Sequence, residues 1–343
     1  MKPWTTSLLL VALPGGVTLS TQYKPDHALR IDVESTLKME STVEMLRDGQ
    51  ASDRGGGGMS WETLRKEVHV DKVVEAKDGK PTKVHRSFEK VSGKTSSSRG
   101  GASDLESPLD GVTLEIKRGG DKVEVSAVEG KTPDAKCLEG HRPEIFLDGL
   151  LPEGDVKVDS SWDLEGEAIK RALRLDVVQA LYPPAEREEP SGQEGGGRGR
   201  GGRMGGGAGA EFLQHADWKG KGKLVATDKD VDGKTCAVVE LKIEASGDLP
   251  EPDIGGRRGG RSYDPETGAV SATRSTYEIT LEGKLVFAIK EQRPVSLELE
   301  GTAKTDTARE SQRDEHTFKI HAATEGQLTF KVGVSEEAAK AEK

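Results

Sequence analysis

The chain has few aromatic residues and few cysteines, and it lacks the motifs of common enzymes and metal sites. Aromatic residues make up 4% of its 343 residues, and the only two cysteines are Cys137 and Cys236. No His-Glu-x-x-His, paired Cys-x-x-Cys or Gly-x-Ser-x-Gly pattern is present, which argues against a zinc site or a hydrolase nucleophile. We therefore expect a non-catalytic protein with no cofactor and no metal. The sequence leaves open whether the two cysteines form a disulfide.

Long apolar runs are also lacking. The run at 8–13 is too short to cross a bilayer, which needs about 20 apolar residues. It follows Lys2 and ends at Pro14, which is the order of a secretory signal. We therefore predict a signal peptide over residues 1–21, an exported protein that is periplasmic or secreted, and no integral membrane span. The alternatives are that this segment is an irregular N-terminus or the first strand of the sheet.

An excess of positive charge is absent as well. The formal net charge is −10, which argues against general binding to nucleic acid. Four arginines precede pairs of glycines, as in RNA-binding repeats, but they lack the aromatic partners on which bases would stack. These arginines are Arg54, Arg99, Arg200 and Arg258. We expect flexible loops there and no nucleic-acid partner.

What the chain does contain is strand alternation. From Leu29 to Met45 every odd residue is apolar or serine and every even residue is polar or charged. Successive side chains of a strand point to opposite faces, so this segment predicts one strand with a dry and a wet side. At about 3.3 Å per residue it is on the order of 55 Å long, which favours a curved strand.

Turn signals divide the rest of the chain into further strands. Asp78-Gly79, Gly119-Gly120 and Asp232-Gly233 lie between alternating segments and predict hairpins. At the second turn we expect Ile116 opposite Val123. Beyond the third turn, five apolar sets predict a run of separate short strands. They are Tyr277–Leu281, Leu285–Ile289, Val295–Leu299, Phe318–Ile320 and Leu328–Val332.

One segment follows helical spacing. Apolar residues from Ile169 to Leu181 form one stripe, and Pro183 ends it. The sequence thus predicts a mainly β fold: an antiparallel meander of long curved strands, open and half-barrel-like, packed on one helix, with disordered Gly/Arg-rich loops. We expect an N-terminal β region over 24–185 that ends in this helix, a disordered Gly-rich segment over 186–210, a C-terminal β region over 211–334 and a tail over 335–343.

Two short motifs have ordinary structural explanations. Asp228, Asp230 and Asp232 resemble the start of a calcium loop, but Val239 stands where the bidentate glutamate is needed. A plain hairpin turn explains them. Gly-Lys-Thr occurs at Gly93 and Gly233 without the earlier glycine of a phosphate-binding loop, so no nucleotide is expected.

A segment before the helix resembles uncharacterised exported β-rich bacterial proteins. In those proteins a proline, a Val-Lys-Val stretch and Gly-Asp-Ser-Trp precede a short helix. Here Pro152, Val156 to Val158 and Trp162 match, while Asp159 and Ser160 replace the usual Gly and Asp. The resemblance implies an envelope or secreted location and brings no activity with it.

The dry face of the long strand and the helix stripe together predict a binding site. We expect an apolar pocket between sheet and helix for a lipid or other apolar ligand, or for an envelope protein partner. The alternatives are an ordinary packed core and a structural or interaction module with no ligand. The predicted site residues are Leu37, Met39, Val43, Met45, Trp162, Ile169, Leu173 and Val177.

Overall fold

Antiparallel strands make up most of the fold. The computed structural model describes residues 16–51, 57–120, 122–183, 211–249, 271–313 and 316–337. The strands are β1 (Val17–Thr18), β2 (Ala28–Arg47), β3 (Gln50–Ala51), β4 (Met59–Lys77), β5 (Lys80–Ser97), β6 (Gly101–Glu106), β7 (Thr113–Gly119), β8 (Lys122–Glu129), β9 (Asp155–Val156), β10 (Ser161–Leu164), β11 (Trp218–Val231), β12 (Lys234–Asp248), β13 (Ser271–Ala288), β14 (Arg293–Arg313) and β15 (His316–Glu336). The helices are α1 (Gly166–Ala172), α2 (Val178–Leu181) and α3 (Glu211–His215), and 3₁₀ turns lie at Ala135–Leu138 and Asp148–Leu150.

One large sheet holds all strands except β1 and β9, which pair with each other. Its order is β10-β11-β12-β13-β14-β15-β2-β4-β5-β7-β8, with β3 beside β2 and β6 beside β5. The outermost strands β8 and β10 do not pair within the described residues, so the sheet is open. The predicted fold class, a mainly β antiparallel and open architecture with few helices, is confirmed.

The two predicted β regions share this sheet. Strand β15 pairs with β2 along nearly its whole length, from Glu336 opposite Leu29 to Phe318 opposite Arg47. Strand β15, the last strand of the described residues, therefore lies between β14 and β2. Residues 186–210, the loop at 254–262 and the tail from 338 lie outside the described residues, as do residues 1–15 of the predicted signal peptide.

The predicted short strands merge into longer ones. Tyr277–Leu281 and Leu285–Ile289 belong to the single strand β13, apart from Ile289, and β15 joins the two last predicted strands. The interruption in β13 is Gly283, where an added Cβ would lie 1.8 Å from the carbonyl oxygen of Glu298. This glycine permits close approach of β14 and does not make a turn.

Two of the three predicted turns have the predicted pairing, and the third is displaced. Asp78-Gly79 and Asp232-Gly233 have positive φ at both residues, as a type I′ turn requires. In the β7–β8 hairpin, Ile116 lies opposite Val125, so the predicted pairing with Val123 was wrong by two residues. A shift of two keeps the apolar rows on one face, so alternation alone could not fix this register.

The predicted helix is broken into two. Helix α1 ends at Ala172 and α2 begins at Val178, because Arg174 between them has φ +59°. A left-handed residue cannot continue an α-helix, and here it turns the Arg174 side chain toward the sheet. The helical spacing of the apolar residues is met by two short helices that pack into different clusters.

The core lies between the inner face of the sheet and the layer formed by the helices and 3₁₀ turns. The main cluster extends from Leu29 through Met39 on β2 to β11–β15, and a second cluster surrounds Phe88 and Leu114. Cys137 and Cys236 are buried free thiols, with Cys137 in the second cluster.

Beyond this core, β2, β13, β14 and β15 continue as a ribbon that we call the arm. It comprises residues 41–47, 271–276, 305–313 and 316–324. Neither core cluster includes any residue of the arm, so no second layer packs on it within the described part of the chain.

Candidate functional site: the inner face of the sheet

The predicted site residues lie in three separate places. Leu37, Met39, Ile169 and Leu173 are buried in the main cluster, and Trp162 packs against that cluster. Val177 lies in the second cluster. Val43 and Met45 are half-buried on the arm. The structure therefore brings Leu37 and Leu173 together and does not form one pocket from the whole set.

Leu37 and Leu173 line a narrow cleft between sheet and helix layer. Its volume is about 30 Å³, which is room for about two water molecules. Leu213, Trp218 and Phe330 complete its apolar walls. At this cleft the sheet and the helix layer are thus packed closely together, with little free space between them.

Arg65 of β4 also lines the cleft, and its charge has no acidic partner. In the part of the chain that the structure describes, no carboxylate lies within 4.0 Å of its guanidinium. Its buried Nε makes no hydrogen bond, and Cζ lies 5.7 Å from the ring centre of Tyr182. Burial lowers the pKa of Arg65, and the nearby Tyr182 opposes this weakly.

A buried ionic network continues from Arg65 along the same face of β4. Arg174 donates two hydrogen bonds to Glu67, at 2.6 and 3.1 Å. Arg86 of β5 donates two to Asp71, both at 2.7 Å. All four side chains are nearly inaccessible to solvent, so the network ties β4 to β5 and to the α1–α2 connection.

His69 lies between the two carboxylates of this network. Its Nδ1 is 3.0 Å from Glu67 Oε1 and its Nε2 is 3.8 Å from Asp71 Oδ1, but neither nitrogen has hydrogen-bond geometry. Burial by itself raises the pKa of Glu67, but Arg174 and His69 outweigh it and lower this pKa strongly. Burial likewise opposes ionisation of Asp71, and Arg86 more than compensates, so its pKa is lowered. Both carboxylates are held as ion-paired anions.

A half-buried carboxyl group, that of Asp148, holds the N-terminal segment in place. Asp148 accepts hydrogen bonds from the hydroxyls of Thr21, at 2.6 Å, and Tyr23. The Tyr23 oxygen in turn accepts one from the backbone N–H of Ile145 at 2.8 Å. Burial raises the pKa of Asp148 to about 7, although the two hydroxyl donors favour its charged form.

The inner face of the arm carries a row of apolar side chains. Met45 lies opposite Ile320, and Val43 lies opposite Ala322, on the face that continues from Leu37 and Met39. All four are half-buried although no core cluster covers them. At the tip, the Arg47 guanidinium lies 5.8 Å from the ring centre of Phe318. This row is the uncovered continuation of the core face.

A larger depression of about 430 Å³ lies across β12 to β15. Its walls are two outward-facing rows that include Glu278, Lys304, Asp306 and Glu325. Lys304 pairs with Glu325 at 3.1 Å, and both are well exposed. This depression is a shallow groove on the solvent face, lined by exposed charged side chains that pair across neighbouring strands.

The sequence-based prediction missed Arg65, Glu67 and Arg174. A signal was present, because Arg65, Glu67, His69 and Asp71 share one parity on β4 and are all ionisable. Such a row usually marks a solvated face, and only the positions of the two partner arginines show that it points inward.

Neither a metal cluster nor a membrane-spanning helix is found in the described residues. No group of three or more His, Cys, Asp or Glu side chains there could hold a metal ion. No helix in the same residues is long and apolar enough to cross a membrane.

Comparisons with known proteins leave the family open. No family model matches the chain, and no curated protein matches it. One solved structure to which it is similar is the InvG secretin domain β-barrel from the Salmonella SPI-1 injectisome NC-base, with 9% sequence identity and a TM-score of 0.18. That alignment covers 92% of this chain, which spans 65% of the length of the InvG chain. A likeness this weak indicates neither fold nor function.

Proposed function

We propose that the protein is a non-catalytic, exported binding protein of the cell envelope. It binds an apolar ligand, or the apolar surface of a partner protein, on the inner face of its sheet. The observation that carries this proposal is the arm, where Val43, Met45 and Ile320 continue the core face without a covering layer.

Apolar area on the arm remains accessible to solvent. Fully burying a Val, Ile or Met side chain contributes roughly 1.5–3 kcal/mol, and these side chains are only half-buried. A ligand or partner that covers the row would gain the remainder. An apolar row backed by a rigid sheet is a typical binding surface, because little conformational entropy is lost on binding.

Export and envelope location rest on the sequence. The short apolar run that follows Lys2 and the resemblance around Trp162 both support them. Within the envelope the protein acts as a carrier or as a docking partner.

A second candidate is an interaction module with no small ligand. The observation that favours it is the tight packing of the cleft at Leu37 and Leu173, which leaves only about 30 Å³. In that case the arm binds a protein surface and the cleft stays closed.

The experiment places a charge on the inner face of the arm. Ile320→Asp should abolish binding of the neutral dye N-phenylnaphthylamine and remove any lipid-sized adduct seen by native mass spectrometry. The matched control is Lys319→Asp, on the exposed outer face of the same strand. Equal dye binding by both variants would contradict a site on the arm, while absence of dye and adduct with capture of an envelope protein would favour the module.

A further inference from the structure

Half-buried Arg65 differs from the buried arginines Arg86, Arg174 and Arg293, because it has no carboxylate partner among the described residues. Arg86 and Arg174 each make a bidentate pair with a carboxylate, and Arg293 donates to Glu336 at 2.9 Å. Arg65 makes no ion pair in the described residues, and its Nε is buried without a hydrogen-bond partner. A half-buried charge without a counter-ion has lost part of its hydration, so an anionic ligand would stabilise it.

The surroundings of Arg65 suit the charged head group of an amphipathic ligand. It lines the cleft whose other walls are the apolar side chains of Leu37, Leu173 and Phe330. Ser35 lies directly opposite it on β2 and also lines the cleft. Thr63 is the other polar residue of the lining, and the remaining walls are apolar. One cation beside two hydroxyl groups, among mostly apolar walls, matches a ligand with one negative charge and an apolar body.

The inner face then leads from this cation to the arm. On β2 the inward row continues from Ser35 through Leu37, Met39 and the buried Ser41 to Val43 and Met45. At about 3.3 Å per residue this row is roughly 33 Å long. The hydrocarbon core of a bilayer is about 30 Å thick, so a single acyl chain needs about half of that length.

We propose that Arg65 binds the carboxylate of a long-chain carboxylic acid whose chain lies along the inner face of β2 and β15 toward the arm. This inference rests on the proposed function, because it names the ligand of the same face. A planar guanidinium matches a carboxylate with two parallel hydrogen bonds, which is the pairing that Arg86 and Arg174 already make in this fold. Entry of the chain requires the leucines of the helix layer to move away from β2.

The test compares two amphiphiles of equal chain length on the delipidated full chain. Dodecanoate and dodecyltrimethylammonium are titrated by calorimetry below their micelle concentrations. We expect dodecanoate to bind and the cationic amphiphile to bind at least about tenfold more weakly. Charged hydrogen bonds of this kind correspond to roughly a 10- to 100-fold change in dissociation constant.

The variants are Arg65→Gln, Arg65→Lys and the matched control Lys66→Gln. Lys66 is the next residue, and its side chain is exposed on the opposite face of β4, where it pairs with Glu34. Arg65→Gln should weaken dodecanoate binding about 10- to 100-fold, Arg65→Lys should weaken it less, and Lys66→Gln should leave it within twofold. Because Arg65→Gln removes an unpaired charge, we expect its melting temperature to equal or exceed that of the parent chain.

The outcomes separate this inference from the proposed function. If both amphiphiles bind equally, or if Arg65→Gln binds dodecanoate like the parent, the assignment of Arg65 is overturned while an apolar binding face stands. If neither amphiphile nor the neutral dye binds, both the inference and the small-ligand form of the proposed function fail. Should Arg65→Gln be unstable, Arg65→Lys decides, since unchanged affinity there would contradict a bidentate carboxylate site.

Discussion

Arg174 and Glu67 are 107 residues apart in sequence and form a bidentate, buried ion pair. The pair joins the break between α1 and α2 to the middle of β4. Arg174 is the left-handed residue of that break, so the local conformation and the long-range contact depend on each other. The Arg174 guanidinium also lies 4.8 Å from the ring centre of Phe146, which closes the network on the other side.

Breaking this pair from one side should be strongly destabilising. Arg174→Met leaves the Glu67 carboxylate buried without its main counter-charge, which costs about 3–5 kcal/mol of unfolding free energy. The double variant Arg174→Met/Glu67→Gln should recover part of that loss, because no unpaired charge remains. Urea denaturation at neutral pH measures both.

The matched control for this prediction is Arg171→Met. Arg171 lies three residues earlier on α1, and surface substitutions of this type usually change stability by less than about 0.5 kcal/mol. Equal losses for Arg171→Met and Arg174→Met would show that the pair contributes little beyond the side chain itself.

Because of the Asp148 carboxyl, we expect the unfolding free energy of the protein to depend on pH. Its pKa is raised to about 7 by burial, so the folded state favours the protonated form more than the unfolded state does. The stabilisation that comes from protonated Asp148 is complete below about pH 4 and is lost as the pH rises through about 7. Asp148 keeps some contact with water, so we expect the loss to be roughly 1–2 kcal/mol rather than the full linkage value.

The measurement is the unfolding free energy at pH 4.5 and pH 8 for the parent chain and Asp148→Asn. The parent chain should lose stability relative to the Asn variant as the pH rises. Asp163→Asn, at an exposed position on β10, should follow the parent chain at both pH values. Parallel pH profiles for the parent and Asp148→Asn would refute the assigned linkage.

Sequence alternation alone predicts which face of β2 is buried, but it predicts the wrong face for β4. On β2, the alternation from Leu29 to Met39 matches the buried and exposed faces of the strand. On β4, alternation would place Val68 and Val70 inward, yet these are half-exposed while Glu67, His69 and Asp71 are buried. The register with β2 places His69 opposite Ile31 on the core face, and this long-range pairing overrides the local pattern.

The same contrast between local alternation and long-range contacts explains why only part of the candidate site was predictable from the sequence. The strand face that carries Leu37 and Val43 follows from alternation, because it depends on one segment only. The separation of Val177 from Leu173 depends on the backbone conformation at Arg174. The charge of Arg65 can be interpreted only from the structure, which shows that no carboxylate of the described residues pairs with it. Contacts between segments that are distant in sequence determine both features. A short stretch of sequence does not contain the residues that make these contacts.

Gly283 should be intolerant of any side chain. An added Cβ would meet the Glu298 carbonyl oxygen at 1.8 Å, and only backbone movement could relieve that contact. We expect Gly283→Ala to cost at least about 2–3 kcal/mol. Gly333→Ala is the control, because a Cβ there meets nothing within 4 Å and should be neutral or stabilising by up to about 1 kcal/mol. Thermal unfolding of both variants checks this, and similar melting temperatures would contradict it.

Asp159 occupies a position where the resembling proteins have glycine, and its own backbone conformation is one that favours glycine. Its φ is +72°, in the left-handed region that glycine adopts without strain. Asp159→Gly should therefore be neutral or slightly stabilising, since its exposed ion pair with Lys223 contributes less than about 1 kcal/mol. Asp159→Ala keeps the Cβ and should be about 1 kcal/mol less stable than Asp159→Gly. If Ala and Gly give equal stability by denaturant titration, backbone strain at this position is not significant.

The N-terminal segment predicts where the mature protein begins. Val17 pairs with Val156, Leu19 is fully buried in the main cluster, and the Thr21 hydroxyl donates a hydrogen bond to Asp148. Removing a buried leucine typically costs about 2–5 kcal/mol, so a chain that starts at Gln22 should be clearly less stable than one that starts at Gly16. For the proposed exported form we therefore expect signal cleavage at or before residue 16, earlier than the boundary at residue 21 predicted from the sequence. Intact-mass measurement of the exported protein would show the cleavage site. A mature chain that begins at residue 22 with an unchanged melting temperature would mean that β1 and Leu19 add nothing to the fold, and the stability of Leu19→Ala in the longer chain would test that directly.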